Sequence, residues 1–222
     1  MADEQNPNTN QMDLLKRLAA IGSDLWGGMP SAAYQKEETP DREKGTPPAQ
    51  SPAKKKGSGI QDLWKTADEN VDWTDALAHS TPTDGLTGKR LWSFYHKMAP
   101  KVLAGDLDAY TEVLKTSNPL GELTDYAESI NMRAPGADCL ESTFVCRDEF
   151  MKENRKLYLA GMGLRIARDL LACLPVSEVK VTAEQDGKAV FTAIYTRQQL
   201  LHRNFVFIDP IALAEECGAE FR

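Results

Sequence analysis

The sequence has few of the residues on which common metal and redox sites depend. Its 222 residues include four cysteines and three histidines. The cysteines form no CxxC pair and no disulfide framework. Cys139 and Cys146 are seven residues apart on one predicted strand, a spacing that directs them to opposite faces and away from a shared tetrahedral zinc. We therefore predict no metal ligands and no cofactor.

Long apolar runs are also lacking. No stretch approaches the roughly 18 consecutive apolar residues that cross a bilayer. At the N-terminus, Asp13, Lys16 and Arg17 interrupt the apolar residues that a signal peptide would need. Widely spaced cysteines without a disulfide pattern are typical of a reducing compartment. The sequence therefore predicts a cytoplasmic protein without a transmembrane segment.

Local catalytic signatures are missing too. His79, His96 and His202 supply the only imidazoles, and no GxSxG nucleophile elbow precedes a predicted helix. Gly161 and Gly163 lie inside a predicted helix, without the preceding strand and following lysine of a phosphate-binding loop. We interpret them as glycines that permit a neighbouring element to approach closely. No catalytic residue is predicted.

The acidic excess of the chain lies outside its N-terminal region. Residues 1–60 contain eight basic and eight acidic side chains, so the net charge of −7 belongs to the remainder. Because an acidic surface repels phosphate, we expect no binding of nucleic acid through the core. We interpret the run from Lys54 to Lys56 as a solubilising spacer, with contact to RNA or an anionic surface as the alternative.

The N-terminal region combines a predicted amphipathic helix with a predicted disordered tether. Residues 11–26 have helical apolar spacing, whereas residues 29–59 contain five prolines and one aromatic residue, too few apolar groups to offset the entropy of ordering. We divide the chain into the helix region 1–28, the linker 29–59 and one domain, 60–222. The predicted partner-binding residues of the first helix are Leu14, Leu18, Ile21, Leu25 and Trp26.

The tripeptide Asp-Leu-Trp occurs twice, at residues 24–26 and 62–64. The second copy lies in residues 60–73, which also have helical apolar spacing. Leu63 and Trp64 are therefore candidate partner-binding residues of a repeated docking motif. Alternatively, the repeat is a coincidence and the second helix belongs to the core.

Residues 60–222 predict an α+β domain, with an antiparallel sheet packed on a long central helix. Its first part, 60–118, is predicted to be helical, with a break or kink at Pro100, and its second part, 119–222, to mix strands and helices. Residues 129–133 and 139–147 resemble an antiparallel pair, and residues 204–208 a short strand. Residues 148–174 are the predicted long helix.

Asp186-Gly187 predicts a two-residue β-hairpin between alternating runs. Counting outward from this turn places six side chains on the core face, in the pairs Ala183 with Val190, Val181 with Thr192, and Val179 with Ile194.

Arginines on the predicted long helix are the candidate anion site. Arg155, Arg165 and Arg168, together with Asp169, form a polar strip on a helix that is otherwise apolar over most of its surface. Arginines one turn apart bind carboxylate or phosphate well. The alternative is a solvent-exposed strip in which Arg165 and Asp169 form an ordinary i, i+4 ion pair.

These patterns favour a non-enzymatic adaptor or protein-interaction protein, whose tethered N-terminal helix docks in a groove of a partner. The alternative is an enzyme or small-ligand-binding domain with a scattered site, for which the helix is only a targeting address. Attachment to a membrane surface is a third possibility. It is less favoured, because the polar side of the helix carries two acids and two bases rather than a basic face.

Overall fold

The computed structural model describes residues 59–68, 70–83 and 91–222. The chain divides into two compact units, Met1–Gly57 and Ser58–Arg222, and the described residues all belong to the second. The predicted helix over residues 11–26 and the linker up to residue 58 lie outside the described residues. In the part of the chain that is described, no helix is long and apolar enough to span a bilayer.

Helices dominate the first part of the domain. Asp72 and Asp106 cap two of them, each accepting two backbone N–H bonds at the helix start. Asn118, in the left-handed conformation, ends the helix that Asp106 begins. The helix containing Pro100 continues through it to Leu103 and is not broken there. The elements are α1 (Trp73–Ala78), α2 (Trp92–Leu103), α3 (Leu107–Ser117) and a 3₁₀ turn (Gly121–Asp125).

The second part of the domain forms a five-stranded sheet with a long helix packed on it. The strand order follows the chain, β1-β2-β3-β4-β5. Neighbours are antiparallel except β2 and β3, which are parallel because the long helix crosses over between them. The α+β prediction is confirmed, and the sheet is mixed. Its elements are β1 (Ala127–Gly136), β2 (Cys139–Cys146), α4 (Asp148–Cys173), β3 (Glu178–Gln185), β4 (Lys188–Thr196), α5 (Arg197–Leu200), α6 (Pro210–Glu216) and β5 (Glu220–Phe221).

The long helix α4 confirms the prediction for residues 148–174 but consists of two helical pieces. Asn154 has non-helical backbone angles (φ −155°, ψ 85°) inside it. The Oδ1 atom of Asn154 accepts a hydrogen bond from the backbone N–H of Leu157 at 3.2 Å, as an N-cap does. The following piece is almost entirely buried. Asn154 therefore caps the buried piece of α4.

Two glycines allow close packing on α4, as the sequence predicts. A Cβ atom at Gly163 would lie 2.8 Å from Cε1 of Phe191, and one at Gly161 would lie 3.1 Å from Cε3 of Trp64. Both distances are shorter than ordinary carbon contacts. The two glycines allow Phe191 of the sheet and Trp64 to pack closely on the helix surface.

The β3–β4 hairpin has the predicted turn but a different register. Asp186 and Gly187 both have positive φ, as a type I′ turn requires. Beyond the turn, a bulge at Val190 shifts the pairing by one residue. The predicted partners Val190, Thr192 and Ile194 are therefore wrong, and Ile194 is exposed. The observed pairs on the core face are Ala183 with Phe191, Val181 with Ala193, and Val179 with Tyr195.

Two short segments lack the predicted secondary structure. Residues 60–65 form successive turns instead of a helix, with backbone bonds such as that from Asp62 N–H to the Gly59 carbonyl. Residues 204–208 form a turn instead of a strand, because Phe207 N–H bonds locally to the Asn204 carbonyl. In both cases contacts with α4 and its neighbours replace the expected regular pattern.

Candidate functional site

A buried ion pair on α4 is the centre of the most polar cluster in the described chain. Nε of Arg165 lies 2.6 Å from Oδ2 of Asp169, and their side chains are 5% and 0% exposed. Arg165 also donates to the hydroxyl of Thr66 and lies 3.4 Å from a carboxylate oxygen of Glu122. The backbone N–H of Asp68 donates to Oδ1 of Asp169 at 2.9 Å. Both charged groups are therefore satisfied from inside the domain.

This ion pair attaches residues 59–68 and 70–72, which we call the anchor segment, to α4. Further hydrogen bonds join this part of the chain to α4. Val71 N–H donates to the Ala172 carbonyl at 2.9 Å, and the indole of Trp73, which follows the segment, donates to the Cys173 carbonyl at 3.0 Å. The anchor segment is thus fixed through both side-chain and backbone groups of the last three turns of the helix.

Arg168 extends the cluster toward the loop before α6. Its guanidinium donates to the carbonyl oxygens of Trp64 and Thr66, the second at 3.2 Å. Its Cζ atom lies 3.7 Å from the centre of the Phe205 ring, a close cation–π contact. Burial lowers the pKa of Arg168 to about 10, Asp169 opposes this change and Arg165 adds to it. Arg168 remains charged at neutral pH.

Burial raises the pKa of Asp169 to about 7, against the opposing effect of the Arg165 guanidinium. A carboxyl whose pKa is higher in the folded than in the unfolded chain stabilises the fold at low pH. That stability is fully present below the unfolded value of 3.8 and is lost as the pH rises through about 7. The loss amounts to at most about 1.4 kcal/mol for each pH unit between these values.

We therefore expect Asp169→Asn to remove a component of the pH dependence of stability. The measurement is urea unfolding of both proteins at intervals between pH 5 and pH 8. The free energy of unfolding of the native chain should fall relative to that of the variant as the pH rises. Parallel pH profiles would contradict the raised pKa of Asp169. Titrating groups distant from Asp169 affect both proteins equally and cancel in the difference.

The structure separates the predicted arginine group. Arg165 and Arg168 share the cluster, whereas Arg155 lies about 15 Å along the helix, ten residues away, and donates to the carbonyl of Arg222. The i, i+4 ion pair of the alternative is present, but its solvent exposure is wrong, because Arg165 and Asp169 are 4% and 0% exposed. An external anion at Arg165 would have to displace the carboxylate of Asp169. The arrangement serves as an internal clamp.

Leu63 and Trp64 lie in the core of the domain. Their exposed fractions are 4% and 6%. The Trp64 ring packs against Gly161, and its Nε1–H donates to the carbonyl of Ile208 at 3.2 Å. This arrangement favours the alternative that the second Asp-Leu-Trp segment belongs to the core. Leu14, Leu18, Ile21, Leu25 and Trp26 lie outside the described residues.

An exposed apolar pair lies on the loop that contacts the anchor segment. Val206 is 56% exposed and Phe207 is 84% exposed, the highest value among the exposed large apolar side chains of the described chain. The same loop carries Phe205, under Arg168, and the Ile208 carbonyl that binds Trp64. The sequence analysis does not single out this pair, because the apolar residues within 204–208 predict a short strand. The adjacent apolar run itself was the available signal.

Two cysteines and two histidines of the described chain have surroundings that explain them as structural residues. Burial raises the pKa of Cys146 to about 12 and that of Cys173 to about 11, which makes both thiols poor nucleophiles at neutral pH. His79 contacts Asp75 at 2.6 Å, and His96 contacts the Ala76 carbonyl at 2.6 Å. Among the residues that the structure describes, no group of three or more histidine, cysteine or acidic side chains is placed to hold a metal ion.

Comparisons of the chain with protein-family models, with curated proteins and with solved structures gave no match.

Proposed function

We propose that this chain is an adaptor that binds a partner protein through its predicted N-terminal amphipathic helix and through the exposed Val206 and Phe207. The observation that carries the proposal is the position of these two side chains on the loop that contacts the anchor segment. The predicted helix over residues 11–26 joins the domain through the linker that leads into the same segment. Two contacts on one partner reinforce each other when a linker joins them, because the second contact forms intramolecularly.

Leu63 and Trp64 lie in the core, which supports the assignment of partner binding to the N-terminal helix. Of the two Asp-Leu-Trp segments, the second is used to attach the anchor segment to α4. The first therefore supplies the apolar stripe for the partner in our proposal.

The test compares capture of specific partners by full-length variants. Leu18→Asp with Ile21→Asp adds two charges to the apolar stripe and is expected to lower partner capture by about tenfold or more. The matched control is Ala20→Asp with Ser23→Asp, which adds the same charges on the opposite side of the predicted helix. Quantitative affinity capture followed by binding measurements on the recovered partner gives the result.

The loop contact is tested in the same way. Phe207→Ser should weaken capture of the same partner without changing stability, because the side chain is largely exposed. Leu77→Ser removes a 41% exposed apolar side chain elsewhere and serves as its control. An unchanged set of partners in both variant pairs contradicts the proposal. A ligand-specific rise in melting temperature in a screen of nucleotides and metabolites would favour the enzyme alternative instead.

A further inference from the structure

The strand β1 forms one edge of the sheet in the described chain. β1 lies at one end of the strand order, and in the described residues the backbone of 129–133 bonds only to β2. The opposite end of the sheet is β5, which is two residues long. A strand at an edge presents a row of backbone donors and acceptors that another strand can pair with. β1 is therefore the surface at which the sheet can be extended.

Irregularities confine regular pairing on β1 to five residues. Residues 129–133 pair with β2 without interruption, and register shifts occur on both sides of this stretch. Pro135 lies beyond it and lacks a backbone donor. A strand added to this edge therefore has a defined place, centred on Asn131, and cannot slide along the whole length of β1.

We propose that β1 pairs antiparallel with β1 of a second copy of this chain, about a two-fold axis at Asn131. This register places Ile130 opposite Met132 of the partner subunit and Ser129 opposite the partner subunit's Arg133. Residues directly opposite each other in an antiparallel pair share a face of the sheet. Ile130 and Met132 are half-buried on the core face, so the four apolar side chains of the two copies meet there.

The alternative centres are less complementary. An axis at Met132 would place Pro135 opposite Ser129 of the partner subunit, outside the regular stretch. An axis at Ile130 would oppose Met132 and the exposed Glu128 of the partner subunit. Only the axis at Asn131 keeps all five pairs within residues 129–133. The five-residue stretch thus selects the register by itself.

The charge on β1 and the closed symmetry of the pair favour a second copy of this chain as the partner at the β1 edge. Arg133 is the one charged residue of the stretch, and in this register it faces a serine rather than another arginine. A two-fold pairing of two β1 edges uses the same edge of both copies, so neither copy has a second β1 edge to offer. The association is therefore a closed dimer with one continuous sheet and does not propagate into a fibre.

The first test is the oligomeric state of the full-length chain, measured by sedimentation equilibrium over a range of concentrations. A monomer–dimer equilibrium is expected. Ser129→Arg should raise the dimer dissociation constant by about tenfold, because two like-charge contacts form in each dimer. Ser129→Asp should lower it, because it faces Arg133 of the partner subunit. Gln198→Arg and Gln198→Asp, at an exposed position outside the sheet edge, are the matched controls.

The second test is a disulfide across the axis. Asn131→Cys places two thiols on directly opposed residues, within the range of about 4.4–6.8 Å that a disulfide requires between Cα atoms. Under oxidation this variant should crosslink into a dimer. Ser129→Cys places the thiols four residues apart along the strands, about 13 Å, and should not crosslink. The unsubstituted chain, whose four cysteines are free, is the control for the native thiols.

A folded chain that remains monomeric at every concentration would overturn the proposal. That result is also expected if an extended peptide of another protein, or another segment of this chain, occupies the edge of β1. A dimer that ignores both Ser129 substitutions, or that crosslinks equally at positions 129 and 131, would also overturn it. Circular dichroism melting of each variant shows that it is folded, since Ser129 and Asn131 are exposed.

Discussion

Replacing Asp169 with alanine is expected to lower the free energy of unfolding of the domain by about 3–5 kcal/mol. The substitution leaves the buried guanidinium of Arg165 without its nearest carboxylate and the backbone N–H of Asp68 without its Oδ1 acceptor. A buried charge that loses its main partner is costly, because water does not replace that partner. Urea unfolding of the full-length chain at pH 8, where the carboxyl of Asp169 is ionised, measures the loss.

The control for this prediction removes both charges. Arg165→Met with Asp169→Leu replaces the pair with apolar side chains of similar volume, and such replacements are often neutral. The double variant should therefore recover most of the stability that Asp169→Ala loses. A loss below about 1 kcal/mol in Asp169→Ala would show that the pair is solvated and that the clamp contributes little.

Replacing Trp64 with alanine is the second change with a large expected effect, again about 3–5 kcal/mol of unfolding free energy. The indole is 6% exposed, packs on Gly161 and donates to the Ile208 carbonyl. Alanine removes the apolar contact, leaves a cavity against the helix and leaves that carbonyl without its donor. Guanidinium unfolding, with comparison of m-values, measures the effect.

Trp64→Phe separates the two components. It keeps most of the aromatic volume but loses the hydrogen bond, so we expect a cost nearer 1 kcal/mol than 4 kcal/mol. Full stability in Trp64→Ala would contradict the core position of the second Asp-Leu-Trp segment. That result would restore Leu63 and Trp64 as candidates for partner binding.

The elements of this domain that the sequence predicts well are those defined by local signals. Asp106 and Asn118 delimit α3, and the long apolar pattern delimits α4, because caps and helical periodicity act within a few residues. The turn at Asp186-Gly187 follows from the preference of these residues for positive φ. The bulge at Val190 has no local signature, and it reverses which residues of β4 face the core.

Hydrophobic periodicity predicts the candidate site less well than it predicts the helices. The helical spacing of residues 60–73 is present, yet long-range contacts with α4 override it and produce turns. The arginines of α4 were identified as residues, but their burial depends on a segment about 100 residues away in the chain. The parallel pairing of β2 with β3 likewise depends on where α4 returns the chain. No local sequence pattern predicts such long-range contacts.

The anchor segment has a further consequence for the order in which the domain folds. The hydrogen bond from Asp68 to Asp169 spans 101 residues, and that from Trp73 to Cys173 spans 100. Such contacts close large loops and form late, after the local hairpins and helices. During synthesis, Trp73 stays without its Cys173 acceptor until the end of α4 has emerged, and Trp64 stays without its Ile208 acceptor until still later. The nascent chain therefore carries exposed apolar surface for most of its synthesis, which is the period when it is most prone to aggregate.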